Sequence, residues 1–398
     1  MKHEGVVFPE FMHQKIPFIY KGKRIHLDVY GELYLILFMK HTDKHRDAIF
    51  VSNFLTSLSS YIGHQIKSIR DIDTKAFMNA TIKRKKQSGV SNAVTVRNKK
   101  YAYNPYIEPP TIFIGRGEHP KRGTIKRPIC PRNVSLNTSN NVPWVAKYID
   151  PLTSEPKYIM IKGIGDVRDE NKYETARKLY RQLKKIRHKV NQDTKNGDEC
   201  ATCVAIIDAT CMRAGIEKDV NEEADTVGCC SLRVSHVTLF PNHKIRFEFP
   251  GKDSIMWDTC MKNQDVYTNM KRLMGNKKKN DAIFSVKPCQ VNHYIQSIVP
   301  GVTAKCFRTC HASGLMSRRL ACANSVDEFK EANKAVAKKL CHMSGNTLSC
   351  ATSKTNYIDP RVTYSWCRKH NIPIQKVYSN VLLEKHGWAS STSENFIY

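Results

Sequence analysis

Cationic side chains that could hold an anion stand in three separate parts of the chain. Arg213 follows a largely apolar run, CATCVAIIDATCM, where a buried charge needs an anion or another partner. Arg308 lies beside Lys305 in AKCFRT, and His342 ends a segment with helical periodicity. Guanidinium and imidazole groups suit phosphate or a developing oxyanion. Taken singly, each is better explained by a salt bridge or a hydrogen-bonded histidine, so their spacing alone does not define a site.

Common nucleotide and metal motifs are missing from the sequence. There is no GxxxxGK[ST] and no HExxH, and in GRGEHPKRG a proline, Pro120, stands where GxGxxG would need its third glycine. Among the 14 cysteines, Cys200 and Cys203 form a lone CxxC, without a second pair at zinc-ribbon spacing. We therefore predict buried structural thiols, no metal site, and an enzyme driven by neither ATP nor metal, if it is an enzyme.

The elements that would position these cations are predicted from periodicity. Apolar residues from Tyr173 to Val190 recur at helical spacing, with Lys and Arg between them. Four further segments are predicted as helices, the first with a C-terminal cap at Gly215 and the last with Asp359 as N-cap: Cys200 to Arg213, Thr303 to Leu315, Val326 to Met343, and Pro360 to about His370.

One small sheet is predicted within this mainly helical half. Leu232 to Phe240 and Ile245 to Phe249 alternate as strands do, and a turn at Gly251 would place Lys252 near a hairpin tip. In the first half, the apolar segment from Tyr30 to Phe38 belongs to a core, as a helix or a strand. Residues 104–151 are rich in loops, and we predict a domain boundary near Asp150.

The charge balance points to a polyanionic partner. Lys and Arg number 64 against 36 Asp and Glu, which gives a net charge of +28. Nucleic acid explains such an excess better than an anionic membrane or a merely solvated surface. No run of 18 apolar residues exists, and the N-terminal residues do not resemble a signal peptide. The basic run IKRKK (82–86) fits nuclear import, a solvated face or phosphate contacts.

Several motifs, in order along nearly the whole chain, resemble eukaryotic nuclear-type DNA topoisomerase IB. The first resembles that family's DNA-clamping cap and the others its catalytic core: PPTIFIGRGEHPKRGTIKRPI (109–129), KYETARKL (172–179), MRAGIEKD (212–219), EEADTVGCCSLRVSHV (222–237), FPGKDSI (249–255), TAKCFRTCHAS (303–313), ANKAVAKKLCH (332–342) and SKTNYIDPR (353–361).

The resemblance implies a set of five catalytic residues. Tyr357 matches the nucleophile, Arg213, Arg308 and His342 match the groups that hold the scissile phosphate, and Lys252 matches the general acid. Cations would stabilise charge on the phosphate and lower the pKa of the phenol, and a lysine would protonate the leaving 5′-oxygen. A 3′-phosphotyrosyl bond conserves the energy of the broken bond, so the implied reaction requires no cofactor.

The resemblance also implies contacts to duplex DNA and to camptothecin. Arg116, His119 and Lys121 would face DNA from the cap, while Thr226 and Lys305 match phosphate-contacting positions of the core. The positions that line the family's camptothecin pocket are matched by Arg116, Asp253 and Asn356.

Three departures from the family pattern stand out. Only 15 positions separate His342 from Tyr357 (357 − 342), where nuclear enzymes carry a long coiled-coil linker, so we expect looser control of DNA rotation. The family's long charged N-terminal extension has no counterpart in this sequence, so we expect a weaker case for nuclear targeting. Ile216 and Ile114 replace the usual Asn and Arg, and each is expected to lose one polar contact.

The sequence thus predicts an α+β fold, a bilobed monomeric clamp that encircles duplex DNA, with no membrane or nucleotide partner. Residues 1–150 would form the mixed cap, 151–343 the mainly helical catalytic core, 344–352 a short linker, and 353–398 the segment with the nucleophile. The expected compartment is the nucleus, or a virus particle or cytoplasmic viral factory if the source is viral. Two alternatives stay open: a tyrosine recombinase, and a DNA-binding clamp without activity.

Overall fold

In a computed structural model, the structure describes residues 1–87, 89–162, 166–344 and 347–398. The chain divides into two compact units. The first unit contains Met1–Gly165 with Asp219–Ala224, and the second contains Asp166–Lys218 with Asp225–Tyr398. The division therefore follows Gly165, whereas the sequence placed a boundary near Asp150. Among the described residues, no helix is both long enough and apolar enough to cross a membrane.

The first unit mixes short helices with small antiparallel sheets. Its helices are α1 (Val29–Lys40), α2 (Ala48–Ile62) and α3 (Lys75–Met78). Its strands are β1 (Phe18–Tyr20), β2 (Lys23–Ile25), β3 (Ile72–Asp73), β4 (Ala93–Val96), β5 (Lys99–Ala102), β6 (Thr111–Ile112), β7 (Ile125–Lys126), β8 (Val134–Leu136), β9 (Trp144–Ile149) and β10 (Pro156–Met160).

The segment from Tyr30 to Phe38, which the sequence left undecided, lies in helix α1. Asp28 caps this helix by accepting a hydrogen bond from the backbone N–H of Gly31 at 2.7 Å. Leu35 and Phe38 are fully buried, so a helix that is apolar around most of its circumference is stable here. The segment lacks the alternation of apolar and polar residues that is typical of a strand, because the helix buries more than one of its faces.

The GRGEHPKRG loop connects β6 to β7 and is fixed by one glycine. Gly123 has φ +89°, and a Cβ there would lie 2.0 Å from the carbonyl oxygen of Phe50 in α2. Only glycine fits so close to another backbone. Asn53 of α2 also donates to the carbonyl oxygens of Pro120 and Arg122, so α2 holds the loop from one side.

The second unit is mainly helical. Its helices are α4 (Asp166–Lys195), α5 (Glu199–Thr210), α6 (Gln264–Met274), α7 (Pro288–Ile298), α8 (Ala304–Leu320), α9 (Val326–Lys339), α10 (Cys350–Asn356), α11 (Pro360–Lys369) and α12 (Asn380–Lys385). Its strands are β11 (Val237–Phe240), β12 (Lys244–Pro250), β13 (Met256–Lys262), β14 (Met343–Ser344) and β15 (Thr347–Leu348).

The apolar stripe from Tyr173 to Val190 lies on α4, as predicted, and packs into the core of the second unit. Its buried side chains Leu179 and Ile186 belong to one cluster with Ile207 of α5 and Phe307 of α8. Together with the mixed first unit, this mainly helical unit confirms the predicted α+β class. Helix α11 also begins at Pro360, with Asp359 accepting from the N–H of Arg361 as predicted.

Two helices end earlier than the sequence indicated. Helix α5 ends at Thr210 and is capped by Cys211 at φ +61°, so Arg213 lies beyond the helix and Gly215 is not its cap. Helix α9 ends at Lys339, and the backbone N–H of His342 returns to the carbonyl of Ala337 at 2.9 Å. Non-glycine caps of this kind are hard to predict because the left-handed conformation favours glycine.

Helix α8 extends further than predicted, and the sheet is shorter at its start. α8 runs to Leu320 rather than Leu315, and the first strand begins at Val237 because the residues before it form 3-10 turns. β12 lies between β11 and β13 in an antiparallel sheet. The predicted linker at 344–352 includes residues 345 and 346, which lie outside the described residues, and it also includes β15 and the start of α10.

Candidate active site

Tyr357 stands at the C-terminal end of α10, and two elements hold its backbone. Its N–H donates to the carbonyl of Ser353 at 3.0 Å, which continues the last turn of α10. Its own carbonyl accepts from the hydroxyl of Ser313 in α8 at 3.1 Å, and the same hydroxyl accepts from the N–H of Asp359. The phenol is therefore attached to the helix that also carries Arg308.

Arg308 is buried in α8, with 2% of the residue exposed. It donates to the carbonyls of Cys211 at 2.6 Å and Leu340 at 3.0 Å. A second bond from the same terminal nitrogen, Nη2, reaches Nε2 of His342 at 3.0 Å. These three partners come from two chain segments, the cap of α5 and the residues that follow α9, so the guanidinium group connects both segments to α8.

No carboxylate among the described residues forms an ion pair with Arg308, and its Nε–H has no hydrogen-bond partner there. Burial, and then the charge of Arg213, lower the pKa of Arg308 from its ordinary value. Burial of a charge without a counterion costs about several kcal/mol, because the charge loses its hydration. Such a group is suited to receive an anionic ligand.

Arg213 is held on a loop by a close backbone approach. A Cβ on Gly228 would lie 2.5 Å from the Cα of Gly215, so the two segments touch directly. Beside this contact, the N–H of Cys229 donates to the carbonyl of Arg213 at 2.8 Å, and the N–H of Cys230 to that of Ala214 at 2.6 Å. The second segment thus fixes the backbone that presents Arg213.

His342 completes a compact group around the phenol. Its ring centroid lies 4.7 Å from that of Tyr357, and its Nδ1 lies 2.8 Å from the hydroxyl oxygen of Ser353. Burial, followed by the charges of Arg308 and Arg213, lowers the pKa of His342 to about 3. The imidazole is therefore neutral at neutral pH.

The phenol of Tyr357 experiences two opposing effects. Burial raises its pKa, but the charges of Arg308 and Arg213, which also hydrogen-bond to its oxygen, lower the pKa by more. The net pKa of Tyr357 lies below its usual value. A phenol becomes a better nucleophile when its phenolate form is easier to reach.

Lys252 lies in the turn between β12 and β13, as the sequence predicted, in a single 3-10 turn at Lys252–Ser254. Its neighbour Asp253 adopts a left-handed φ of +63°. The lysine is exposed, and among the described residues no hydrogen bond joins it to the other four side chains. The structure therefore brings together Arg213, Arg308, His342 and Tyr357, while Lys252 makes no hydrogen bond to any of them within the described residues.

Comparison with known proteins places this group in a family. A sequence model of the eukaryotic DNA topoisomerase I catalytic core matches residues 160–361, which is just over half of the chain and includes all five side chains. The chain belongs to the eukaryotic DNA topoisomerase I family. The DNA-binding fragment of this topoisomerase matches residues 1–104 and 83–148, and the C-terminal topoisomerase domain matches residues 330–398.

Individual topoisomerases are similar along the entire chain. DNA topoisomerase 1 beta of Arabidopsis thaliana is 28% identical across 100% of this chain and 59% of its own length. DNA topoisomerase 1 of Mus musculus is 26% identical across 100% of the chain and 71% of its own length, and that of Homo sapiens is 26% identical across 98% and 70%. The chain thus spans about three fifths of the plant topoisomerase.

Three residues of the first unit were expected to face DNA, and all three lie in the loop between β6 and β7. Arg116 is exposed, and the ring of His119 packs against that of Phe113 at 4.8 Å. Lys121 donates to the carbonyl of Leu152 and forms an ion pair with Glu222. Lys121 is therefore engaged within the protein.

The corresponding positions of the second unit are spread over several elements. Thr226 is partly buried just before Gly228, and Lys305 is exposed in the first turn of α8. Asn356 is exposed and accepts a hydrogen bond from Lys385 at 3.3 Å. Ile216 is 59% exposed, so an apolar side chain stands at a surface position where the family usually has asparagine.

Sequence reasoning missed three residues that hold the site. Ser353 contacts His342, Ser313 holds the backbone of Tyr357, and Gly228 fixes the Arg213 loop. Ser353 precedes the nucleophile by one helical turn in SKTNYIDPR, and this i−4 spacing was the available signal. No comparable signal connects Ser313 or Gly228 to the site, because each acts on a distant segment.

Proposed function

We propose that this chain is a type IB DNA topoisomerase, which cleaves one strand of duplex DNA with Tyr357, permits rotation, and reseals the strand. It would relax both positive and negative supercoils. The single observation that carries the proposal is the buried guanidinium of Arg308, which lies against the phenol of Tyr357 and has no ion-pair partner among the described residues. A phosphodiester would supply the missing anion.

In the proposed cleavage step, the phenolate oxygen of Tyr357 attacks the phosphorus after losing its proton to solvent. The new bond joins Tyr357 to the 3′-phosphate, and the bond from phosphorus to the 5′-oxygen breaks. Arg213, Arg308 and His342 donate hydrogen bonds to the non-bridging oxygens, where charge develops in the transition state. Lys252 protonates the leaving 5′-oxygen, and its exposed hairpin position is compatible with approach to bound DNA.

Resealing is the same reaction reversed, in which the 5′-hydroxyl attacks the phosphotyrosyl bond. Since the energy of the phosphodiester is kept in that bond, we propose that the reaction requires neither ATP nor a metal cofactor. Duplex DNA is the proposed partner, bound by a monomer that encircles it, and the net charge of +28 favours that partner. The nucleus, or a viral compartment, is the proposed location.

The deciding experiment is relaxation of supercoiled plasmid in EDTA without ATP, comparing the wild-type chain with Tyr357→Phe. Relaxation by the wild type alone, together with a covalent DNA adduct trapped by detergent, would support the mechanism and the nucleophile. Binding without relaxation at every salt concentration would instead indicate an inactive DNA clamp. Strand exchange between two duplexes would indicate a recombinase.

We further propose that Arg116, Asp253 and Asn356 form part of a camptothecin site at the cleaved DNA. In sequence, Asp253 adjoins the proposed general acid and Asn356 adjoins the proposed nucleophile, which supports this assignment. Camptothecin should then increase the amount of trapped covalent adduct. Asn356→Ala should abolish this increase while leaving relaxation intact, and equal trapping in both proteins would contradict the assignment.

A further inference from the structure

The imidazole of His342 lies between two hydrogen-bond partners of different character. On one side, Nη2 of Arg308 lies 3.0 Å from Nε2, and on the other the hydroxyl of Ser353 lies 2.8 Å from Nδ1. His342 is 5% exposed and Ser353 is fully buried. Both ring nitrogens are therefore occupied by protein groups in the DNA-free chain.

The donor inventory fixes where the single ring proton lies. Arginine can only donate, so Nε2 must accept from Arg308 through its lone pair. A neutral imidazole then carries its proton on Nδ1 and donates it to the Ser353 hydroxyl. Burial, and then the neighbouring positive charges of Arg308 and Arg213, favour the neutral ring, and the ring of Tyr357 packs against it.

This tautomer is the opposite of the one that the proposed function requires. To donate to a phosphate oxygen, His342 needs its proton on Nε2, the nitrogen now occupied by Arg308. When Arg308 turns to the phosphate, Nε2 takes up a proton from solvent and Nδ1 releases one to solvent, so the charge of the ring is unchanged. Nδ1 then needs a donor where it previously needed an acceptor.

We propose that Ser353 is a positioning residue that supports both tautomers of His342, accepting from Nδ1 in the free chain and donating to Nδ1 when DNA is bound. A hydroxyl can do both, because it carries one proton and two lone pairs. A carbonyl or carboxylate would hold the proton on Nδ1 permanently. The inference about the DNA-bound tautomer rests on the proposed function, whereas the inference about the DNA-free tautomer does not.

The backbone role of Ser353 is separate from its side chain. Its carbonyl accepts from the N–H groups of Tyr357 at 3.0 Å and Ile358 at 2.9 Å, and these bonds do not involve the hydroxyl. Replacement of the side chain therefore leaves the last turn of α10 in place. Ser353→Ala removes the hydroxyl, and Ser353→Thr keeps it.

Thr355→Ala is the matched control for these variants. Thr355 lies on the same helix, and its hydroxyl donates to the carbonyl of Ala351 at 2.8 Å, without contact to His342. Single-turnover cleavage of a suicide duplex should slow about tenfold or more in Ser353→Ala, as expected when a buried polar group loses its partner. Cleavage by Thr355→Ala should match the wild type, and DNA affinity should be unchanged in both.

The ring nitrogens of His342 give a readout that a purely structural role would not change. With 15N-labelled histidine, NMR of the DNA-free wild type should show the proton on Nδ1, and a duplex complex of Tyr357→Phe should show it on Nε2. Recovery of cleavage by Ser353→Thr supports the proposal, whereas equal loss in both serine variants assigns the residue to packing and overturns it. A proton on Nε2 in the free chain also overturns it.

These measurements separate the inference from the proposed function. The tautomer of the DNA-free chain does not depend on activity, and it is measured even if the wild type relaxes no plasmid. If the proton is found on Nδ1 but the wild type relaxes no plasmid, the proposed function is contradicted. The proposed change of tautomer on DNA binding is then contradicted as well. Normal wild-type cleavage together with unimpaired Ser353→Ala would sink only the inference.

Discussion

At the scale of single residues, the site is defined by a buried cation whose polar contacts are carbonyls, an imidazole and a phenol. Arg308 donates to Cys211, Leu340 and His342, which are neutral groups. Neutral acceptors hold the guanidinium plane without cancelling its charge. The charge is then available to lower the pKa of Tyr357 and to bind an anion.

We expect Arg308→Lys to reduce cleavage by about 10²–10³-fold, the range for loss of one preorganised donor of developing charge. An ammonium cannot reproduce the planar contacts to Cys211 and Leu340 together with the phenol. Single-turnover cleavage is the measurement. Lys330→Arg, at an exposed position of α9 where the lysine pairs with Asp327, is the control and should cleave normally.

The neutral His342 also predicts an acid dependence of stability. Its folded-state pKa of about 3 lies below the ordinary 6.5, so below pH 6.5 the unfolded chain binds the proton more readily than the folded chain. The free energy of unfolding should therefore fall as pH decreases from 6.5 to 3, by about 1.4 kcal/mol per pH unit from this residue.

Chemical denaturation of wild type and His342→Gln across this pH range measures that contribution. The difference in unfolding free energy between the two proteins should change with the stated slope, whereas His64→Gln, at an exposed position, should run parallel to the wild type. Parallel curves for His342→Gln would mean that His342 titrates alike in the folded and unfolded chains.

At the scale of elements, the site depends on loops held by close backbone contacts. Arg213 lies beyond α5, on a segment that meets Gly228 through the Cα of Gly215. Tyr357 ends α10 and is attached to α8 through Ser313. The helices supply rigid supports, and the reacting side chains stand just past the helix ends.

Gly228→Ala should displace the Arg213 loop, because the new Cβ would lie 2.5 Å from the Cα of Gly215, and backbone cannot move aside cheaply. Overpacking of this kind costs about 1–3 kcal/mol, so we expect a lower Tm and slower cleavage. Gly275→Ala is the matched control, since its Cβ would meet only ordinary contacts at 3.5 Å. Unchanged Tm and cleavage in Gly228→Ala would mean that the two segments do not meet this closely.

At the scale of the whole molecule, the excess of positive charge is the dominant feature. The net charge of +28 is spread over both compact units, and 15 positions separate His342 from Tyr357. A polyanion of regular charge spacing neutralises such a surface and releases counterions. We therefore expect DNA affinity to depend strongly on salt.

Arg116→Ala should lower the slope of log affinity against log salt by about 1, the value for one lost phosphate contact, and weaken binding to all sequences alike. Fluorescence anisotropy of a labelled duplex at several salt concentrations measures both effects. Lys75→Ala, an exposed lysine elsewhere in the first unit, serves as the control. An unchanged slope in Arg116→Ala would remove Arg116 from the DNA surface.

The sequence by itself determined the α+β class, the long helix α4, the hairpin that carries Lys252, and the family. Strong periodicity fixes such elements locally, and ordered motifs identify relatives without any knowledge of distances. The same local signals placed the ends of α5 and α9 too late, because Cys211 and Cys341 adopt left-handed conformations that glycine usually supplies.

Only the tertiary structure decided which cations form a site. Arg308 reaches the carbonyl of Cys211 across 97 positions of sequence, and whether it would find a carboxylate instead depends on packing that no local pattern records. The pairing of His342 with Ser353 and the approach of Gly228 to Gly215 are contacts of the same kind. Hydrogen bonds and steric contacts act over a few ångströms in space, so residues that are distant in sequence acquire these roles only once the chain has folded.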